Sequence, residues 1–359
     1  MLSRNRLFQI LSFVLAGGLL VLALYGVDLE RMWAAFRAAD YRWVPPLLVL
    51  VIASNLCRAW RWNVLIDALP APEREADSTT PPTLESSFSS VMIGYMVNYV
   101  APRMGEVART ANMAHRTSIR FSSLFGTVVS ERIFDTAVLG FALITGIGLL
   151  FNQLDVLWAQ FLGPAWGTLS GLPLGGLVGG GAAALVVMGG GWMWVRRGLR
   201  REGSVLHRWW TETIQPALTS FRDGMWTLVR SPRRGAILVS TVGMWGGYLM
   251  MAYIPFRMLD LAGPYGIGIG DAWALMAIGA LGLLVPTPGG IGSYHYITQQ
   301  ALVHLYGVPA EPAFTYAVLA HAAQFVFYTL AGGIAVLYQG TGLDTFAPSQ
   351  ADRAPRPSS

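Results

Sequence analysis

Apolar stretches long enough to cross a lipid bilayer recur along this chain and constrain its fold more than any other feature. A membrane-spanning helix needs about 20 mostly apolar residues. The chain is 53% hydrophobic and only 13% charged, whereas soluble domains carry about 25% charged residues. The sequence therefore predicts an all-α polytopic membrane protein. The six predicted spans are Leu7–Tyr25, Val44–Leu56, Phe121–Phe151, Leu174–Val195, Ala236–Leu259 and Ala313–Leu337.

The basic residues indicate how these spans are oriented. All of them are arginines, and the net charge is +5. Arginines accumulate in cytoplasmic loops, so we interpret Arg58 and Arg61, at the end of the second span, as markers of the cytoplasmic side. The run Arg196–Arg201 is interpreted in the same way. The first span is too long for the apolar part of a signal peptide, so we expect it to be retained.

The same composition argues against several other classes of protein. Basic residues that flank apolar spans, with no basic patch on a soluble fold, argue against nucleic-acid binding. Cys57 is the only cysteine, which excludes an intrachain disulfide and a cysteine metal site. The histidines lack the spacing of metal ligands, and we expect no metal and no cofactor.

Two apolar segments, Phe88–Ala101 and Asp271–Val285, are too short for an ordinary crossing. Each ends near a proline and a glycine-containing turn, in NYVAPRMGEVART and LVPTPGGIGSYHYIT respectively. If both return to the side they entered, the main arginine clusters all become cytoplasmic. The sequence thus predicts two re-entrant helical hairpins in an inverted repeat, with both termini cytoplasmic. The alternative is that proline and glycine kink two ordinary spans, which gives eight or more crossings.

The turn of the first hairpin carries charges at helical spacing. If a helix begins near Pro102, then Arg103, Glu106 and Arg109 lie on one face. Arginines near a helix N-terminus can hold a phosphate, and Asn98 could add an amide contact. The alternative is a cytoplasmic loop whose charges are solvated.

A second group of charges lies inside the long apolar stretch at Ser130–Asp135. Glu131 and Asp135 continue a polar stripe at spacing four, and Glu131 falls about 15 Å from the start of the helix. Ionisable groups at membrane depth need partners and are functional candidates. We expect Glu131 or Asp135 to meet Arg103 or Arg109. The simpler alternative is a local pair between Arg132 and Asp135.

The turn of the second hairpin, PTPGGIGSYH, is rich in glycine. Glycines permit tight turns and the close approach of an anion or a lipid headgroup. The alternative is a plain turn between two half-helices, and a Walker-type phosphate loop is excluded because its Lys-Ser/Thr pair is absent. The candidate residues are Pro286, Pro288, Gly289, Gly290, Gly292 and His295.

Four motifs occur in a fixed order: RAWRW at 58–62, N-x3-P-x-R-x-G-E-x2-R at 98–109, ERxxD at 131–135 and PTPGGIG at 286–292. Together they resemble the lysylphosphatidylglycerol synthase transmembrane-domain family of flippase-like proteins. The resemblance implies movement of a phospholipid or polyprenyl-linked lipid between leaflets. The motif after the glycines usually carries Glu in that family, where this chain has His295. A soluble aminoacyltransferase domain, present in the synthases, is not expected here.

The resulting expectation is a stand-alone flippase-like membrane domain over residues 1–340, followed by a disordered cytoplasmic tail over 341–359. We expect it to lie in the cytoplasmic membrane, to bind a membrane lipid and not nucleic acid, and not to be an enzyme. A homo-oligomer and a membrane partner enzyme both stay open as further partners. Two other functions stay open: a lipid-modifying enzyme with Glu131 or Asp135 as general base, and a non-transporting partner of a lipid synthase or glycosyltransferase.

Overall fold

The computed structural model describes residues 4–69, 81–117, 119–149 and 233–339, and the regular structure within these ranges is helical. Two short 3-10 turns, Tyr41–Trp43 and Pro288–Gly290, accompany the α-helices. The α-helices are α1 Arg4–Leu24, α2 Leu29–Ala38, α3 Val44–Asp67, α4 Leu84–Val100, α5 Gly105–Thr117, α6 Phe121–Leu149, α7 Arg234–Met258, α8 Ile269–Leu284, α9 Ser293–Tyr306 and α10 Ala310–Gln339.

Five of these helices, α1, α3, α6, α7 and α10, are long and apolar enough to cross a membrane. They overlap five of the six predicted spans. The sixth, Leu174–Val195, lies outside the described residues, as does the predicted tail. Large apolar side chains such as Ile144, Leu238, Ile334 and Leu337 are exposed on the outer faces of the long helices. Exposed apolar area of this extent is typical of a surface that meets lipid.

The two short segments fold as helical hairpins, α4–α5 and α8–α9. Their helices contain 17, 13, 16 and 14 residues, so each is about 20–26 Å long at 1.5 Å per residue. A bilayer core is about 30 Å thick. In the first hairpin Gly105 lies directly against the carbonyl of Gly94, and in the second Gly282 lies against the backbone of Tyr294. Neither contact leaves room for a Cβ atom.

The two hairpins pack end to end along α10. Near the start of α10, Phe314 lies beside His295 of the second hairpin. Near its end, Gly332 lies against Met92 of the first hairpin. Close to the middle of α10, His321 hydrogen-bonds the turn of the second hairpin at the Gly289 carbonyl. The hairpins therefore approach from opposite ends of α10, and their turns meet near its centre.

The order of helix contacts repeats in the two halves of the described fold. The first half, α3 to α6, packs its hairpin helix α4 against α3, α5 and the last helix of the other half, α10. The second half, α7 to α10, packs α8 against α7, α9 and the last helix of the first half, α6. The lead helices α3 and α7 pack on each other, where Gly243 and Gly247 face Cys57 and Ser54. The two glycines are four residues apart, a GxxxG spacing that permits the close approach of two helices.

Candidate functional site

The site includes three residues on one face of α3. Arg58, Arg61 and Trp62 are spaced by three and four residues, so their side chains lie on one side of the helix, and all three are buried. The sequence predicted that this span ends at Leu56, with Arg58 and Arg61 marking the cytoplasmic side beyond it. The predicted end is wrong, because α3 continues to Asp67 and buries both arginines.

Two carboxylates on α6 face these arginines. Arg58 Nη1 donates a hydrogen bond to Oε1 of Glu131, and its Nη2 lies 3.2 Å from Oδ2 of Asp135. Arg61 Nη2 donates to Oδ1 of Asp135 at 2.6 Å and lies 3.6 Å from Oε1 of Glu131. The spacing of four between Glu131 and Asp135 places both carboxylates on one face of α6, which matches the spacing of the arginines on α3.

The first hairpin adds Arg109 from α5. Its Nη2 donates to Oε2 of Glu131 at 3.3 Å. Its guanidinium carbon lies 4.9 Å from the centre of the Trp62 ring, a cation–π arrangement. Trp62 is held in turn by a 2.9 Å hydrogen bond from its Nε1 to Oγ1 of Thr127. The expected meeting of Glu131 with Arg109 is therefore present.

We call Arg58, Arg61, Arg109, Glu131 and Asp135 the buried ionic cluster. Its three guanidinium groups face two carboxylates, which leaves one positive charge in excess. Burying uncompensated charge is costly. Within the described residues, Nε and Nη1 of Arg109 have no hydrogen-bond partner, although the residue is only 3% exposed. The cluster thus combines excess positive charge with unused donors, which are the requirements of an anion site.

A half-exposed ion pair borders the cluster. Nε of Arg132 lies 3.4 Å from Oε1 of Glu106, and its Nη2 lies 3.6 Å from Oε1 of Glu131. The side chains of Arg132 and Glu106 are 39% and 30% exposed. The local pair between Arg132 and Asp135 considered from the sequence does not form, since Asp135 is held by α3. The pair of Arg132 with Glu106 therefore forms a half-exposed edge beside the buried Glu131.

The turn of the first hairpin differs from the sequence prediction. The helix begins at Gly105 and not near Pro102, so Arg103 does not share a face with Glu106 and Arg109. Arg103 has a left-handed backbone (φ 66°), and its Nη2 donates to the carbonyl of Leu284 at 2.6 Å. The expectation that these three side chains form one face is therefore wrong.

The remaining candidates of the first hairpin have local roles. Oδ1 of Asn98 accepts the Gly105 N–H at 2.8 Å, which caps the N-terminus of α5. Pro102 is buried in the turn. Among the predicted residues of this hairpin, it is thus Glu106 and Arg109 that meet the carboxylates of α6 or their neighbour Arg132.

The turn of the second hairpin is held by its own hydrogen bonds. Gly289, Gly290 and Gly292 all have positive φ angles, a conformation that other residues rarely adopt. Oγ1 of Thr287 lies 2.8 Å from Oγ of Ser293. Tyr99 of α4 packs directly on Gly289. The predicted residues from Pro286 to His295 therefore lie where the two turns meet. Within the described ranges, no hydrogen bond or ion pair joins them to the buried ionic cluster.

Sequence reasoning missed the contribution of α7. Tyr248 accepts a hydrogen bond from Nη2 of Arg58 at 3.1 Å, and Thr241 accepts one from Nη1 of Arg61 at 3.3 Å. The pairing of α3 with α6 did have a signal in the sequence: the arginines of the RAWRW motif are three residues apart, which matches the face presented by Glu131 and Asp135.

Within the described ranges no group of three or more His, Cys, Asp or Glu residues is arranged to hold a metal ion.

Comparison with known proteins identifies the family. The model of the family described as lysylphosphatidylglycerol synthase TM region matches residues 9–332. The chain therefore belongs to this family, and the resemblance based on the four motifs is confirmed. Comparison of the chain with curated proteins and with solved structures found no match. The family and the five membrane-length helices define a multi-pass membrane protein of a lipid-related family.

Proposed function

We propose that this protein is a lipid transporter that moves the headgroup of a phospholipid or polyprenyl-linked lipid between the leaflets of the cytoplasmic membrane. The observation that carries the proposal is that Arg109 is buried with hydrogen-bond donors that have no partner in the described part of the chain. These donors are the Nε and Nη1 atoms of its guanidinium group. A lipid phosphate offers the negative charge and the acceptor oxygens that those atoms require.

The charge balance of the buried ionic cluster supports an anionic headgroup. Three arginines against two carboxylates leave one positive charge, and the pair of Arg132 with Glu106 adds none. One phosphate would make the cluster neutral, which reduces the cost of burying charge at membrane depth.

The half-exposed edge gives such a headgroup a way in. Arg132 contacts Glu131 from the exposed side of α6, and Glu106 holds Arg132 from α5. A phosphate that reaches Arg132 first could pass to Arg109, because both arginines contact Glu131. The lipid tails can stay in the bilayer during this movement, so only the polar head needs a path through the protein.

The hairpins supply the moving parts in this proposal. We infer that α4–α5 and α8–α9 are re-entrant hairpins that enter from opposite membrane faces as an inverted repeat, with both termini cytoplasmic. Their short helices, their end-to-end packing along α10 and the matching neighbours of α4 and α8 support this arrangement. Rocking of one half against the other would expose the cluster to each face in turn.

The geometry argues against catalysis at the carboxylates, so we propose that the protein is not an enzyme. A general base needs an oxygen free to take a proton. Both oxygens of Glu131 already accept from arginines, and both oxygens of Asp135 do as well.

Translocation by the purified chain tests the proposal. Full-length protein is reconstituted into liposomes that contain a trace of phosphatidylglycerol with a fluorescent acyl chain. Chemical quenching from outside then reports how fast inner-leaflet lipid reaches the outer leaflet. We expect the native chain to accelerate this exchange and Arg109→Gln to abolish the acceleration.

The matched control is Arg42→Gln, which also removes one positive charge but from a side chain that is 92% exposed. It should translocate lipid like the native chain. If Arg109→Gln does not fold, Arg109→Lys keeps the charge without the planar fork and should be slower than native. Native speed in a folded Arg109 variant, or no acceleration by the native chain with phosphatidylglycerol or a polyprenyl phosphate, would contradict the proposal.

A further inference from the structure

Two histidines lie against each other beside the turn of the second hairpin. The rings of His295 on α9 and His321 on α10 are 5.0 Å apart at 88°, and both are buried. The ring of Tyr294 stacks on His321 at 5.3 Å. Nε2 of His321 donates to the carbonyl of Gly289 at 3.0 Å, so its bond to the turn requires the proton on Nε2.

His295 acts as a cap for its own helix. Its Nδ1 accepts the N–H of Gly292 at 3.3 Å, where Gly292 has φ 82° and directly precedes α9. An imidazole nitrogen can accept a hydrogen bond only while it carries no proton. Protonation of Nδ1 would therefore turn this hydrogen bond into a contact between two N–H groups. It would also place a positive charge at the N-terminus of α9, which the helix dipole disfavours.

The turn that His295 holds is the surface on which the first hairpin rests. Tyr99 packs against Gly289, and Arg103 donates to the carbonyl of Leu284 at the end of α8. Tyr99 also meets Phe325 of α10 edge to face, with ring centres 4.7 Å apart. The contact between the two hairpin turns therefore depends on the shape of residues 285–292.

We propose that His295 is a proton-sensitive lock on the junction between the two hairpin turns. The junction is joined while Nδ1 of His295 is unprotonated, and uptake of a proton releases the turn and separates the hairpins. The lock is distinct from the buried ionic cluster and does not depend on which lipid that cluster binds. The titratable and charged groups that face it are His321 from α10, Tyr294 from α9, Tyr99 from α4 and Arg103 from the first turn.

The direction of the pH effect follows from where the proton can bind. The joined state excludes a proton from Nδ1 of His295, whereas the separated state accepts one, so a fall in pH favours separation. For one proton the ratio of separated to joined molecules changes by at most about tenfold per pH unit.

Distance measurement between the two hairpins tests the lock without any transport assay. Cys57 is replaced by Ser, and spin labels are attached to cysteines at Val100 and Leu284, which are 69% and 58% exposed. Pulsed electron resonance is recorded in lipid nanodiscs between about pH 8 and about pH 5, a range that brackets the ordinary pKa of imidazole, about 6.5. We expect a short distance at high pH and a growing long-distance population at low pH.

The decisive variant is His295→Gln, because the Gln oxygen can cap Gly292 in the same position but does not titrate. It should hold the short distance at every pH. The control His115→Gln removes an exposed histidine of α5 and should respond like the native chain. The proposal is overturned if the native distances do not change with pH, or if His295→Gln shows the native response.

Discussion

Nη2 of Arg109 lies 3.3 Å from Oε2 of Glu131, and this contact ties the first hairpin to a membrane-length helix through two buried charges. Arg58 and Arg61 approach the same carboxylate from α3. Glu131 is therefore the centre around which three helices of the first half are arranged. Removal of its carboxylate should therefore lower the stability of the protein, and removal of the Arg109 guanidinium should weaken anion binding.

Glu131→Gln should strongly destabilise the protein. The change leaves three buried guanidinium groups with a single carboxylate, Asp135. Removing one partner of a buried ion pair typically costs about 3–5 kcal/mol. The free energy of unfolding is measured in detergent micelles, with the circular dichroism of the helices as the signal.

Glu106→Gln is the matched comparison, because its carboxylate is half exposed and pairs with the half-exposed Arg132. An ion pair of that kind contributes about 0–1 kcal/mol. Equal losses in the Glu106 and Glu131 variants would show that burial of the cluster does not set its energy.

The loss caused by Glu131→Gln should be partly recovered when Arg58 is also neutralised. The double variant Arg58→Gln, Glu131→Gln restores the native charge excess of the cluster. We expect the double variant to lose less stability than the two single variants lose together, by about 0.5–3 kcal/mol, the range for residues in direct contact. Strict additivity of the two losses in the same unfolding experiment would rule out direct coupling.

Most of the membrane-length helices and both short helical pairs in the described residues could be predicted from the sequence, whereas the partners of the charges could be predicted only in part. Apolar length alone identified α1, α6, α7 and α10, because a bilayer dictates it. The end of α3 was misplaced, since Arg58 and Arg61 resemble charges that flank a span. Only the facing carboxylates of α6 explain why two arginines can continue a buried helix, and that information lies more than 70 residues away along the chain.

Gly105→Ala should disrupt the first hairpin. A Cβ atom there would overlap the carbonyl of Gly94 and the amide group of Asn98. Overpacking of this kind costs about 1–3 kcal/mol, and it should also loosen Arg109 because both residues are on α5. The control is Gly126→Ala in α6, where a Cβ atom meets nothing within 4 Å. That control should be neutral or slightly more stable in thermal unfolding, and a similar loss in both variants would contradict the close approach.

Arg103 offers a test of the turn itself. Arg103→Ala loses the hydrogen bond to Leu284 and keeps a side chain in the left-handed conformation, whereas Arg103→Gly loses the bond but relieves the backbone. The Gly variant should therefore be the more stable of the two, by about 1 kcal/mol. Comparison of their unfolding free energies checks this. A less stable Gly variant would show that the turn is not strained in the native chain.

The role of Arg103 shows where spacing fails as a guide. Residues spaced three apart lie on one face only if all of them are inside the helix. Here α5 starts at Gly105, whose N–H is capped by Asn98, so Arg103 lies outside the helix. The turn before that point is shaped by the second hairpin, which is far away in sequence. The local pattern therefore predicted the contact between Arg109 and Glu131 correctly, and it placed Arg103 on the wrong surface.

The most direct test of the account is the affinity of the buried ionic cluster for an anionic headgroup. Short-chain phosphatidylglycerol is titrated into the purified native chain, Arg109→Gln and Arg42→Gln, and bound lipid is counted by native mass spectrometry with phosphatidylcholine as the zwitterionic reference. We predict preferential binding of phosphatidylglycerol by the native chain and by Arg42→Gln, with a loss of at least about tenfold in Arg109→Gln, as expected for one charge-assisted contact. Equal preference for phosphatidylglycerol in all three proteins would contradict the account.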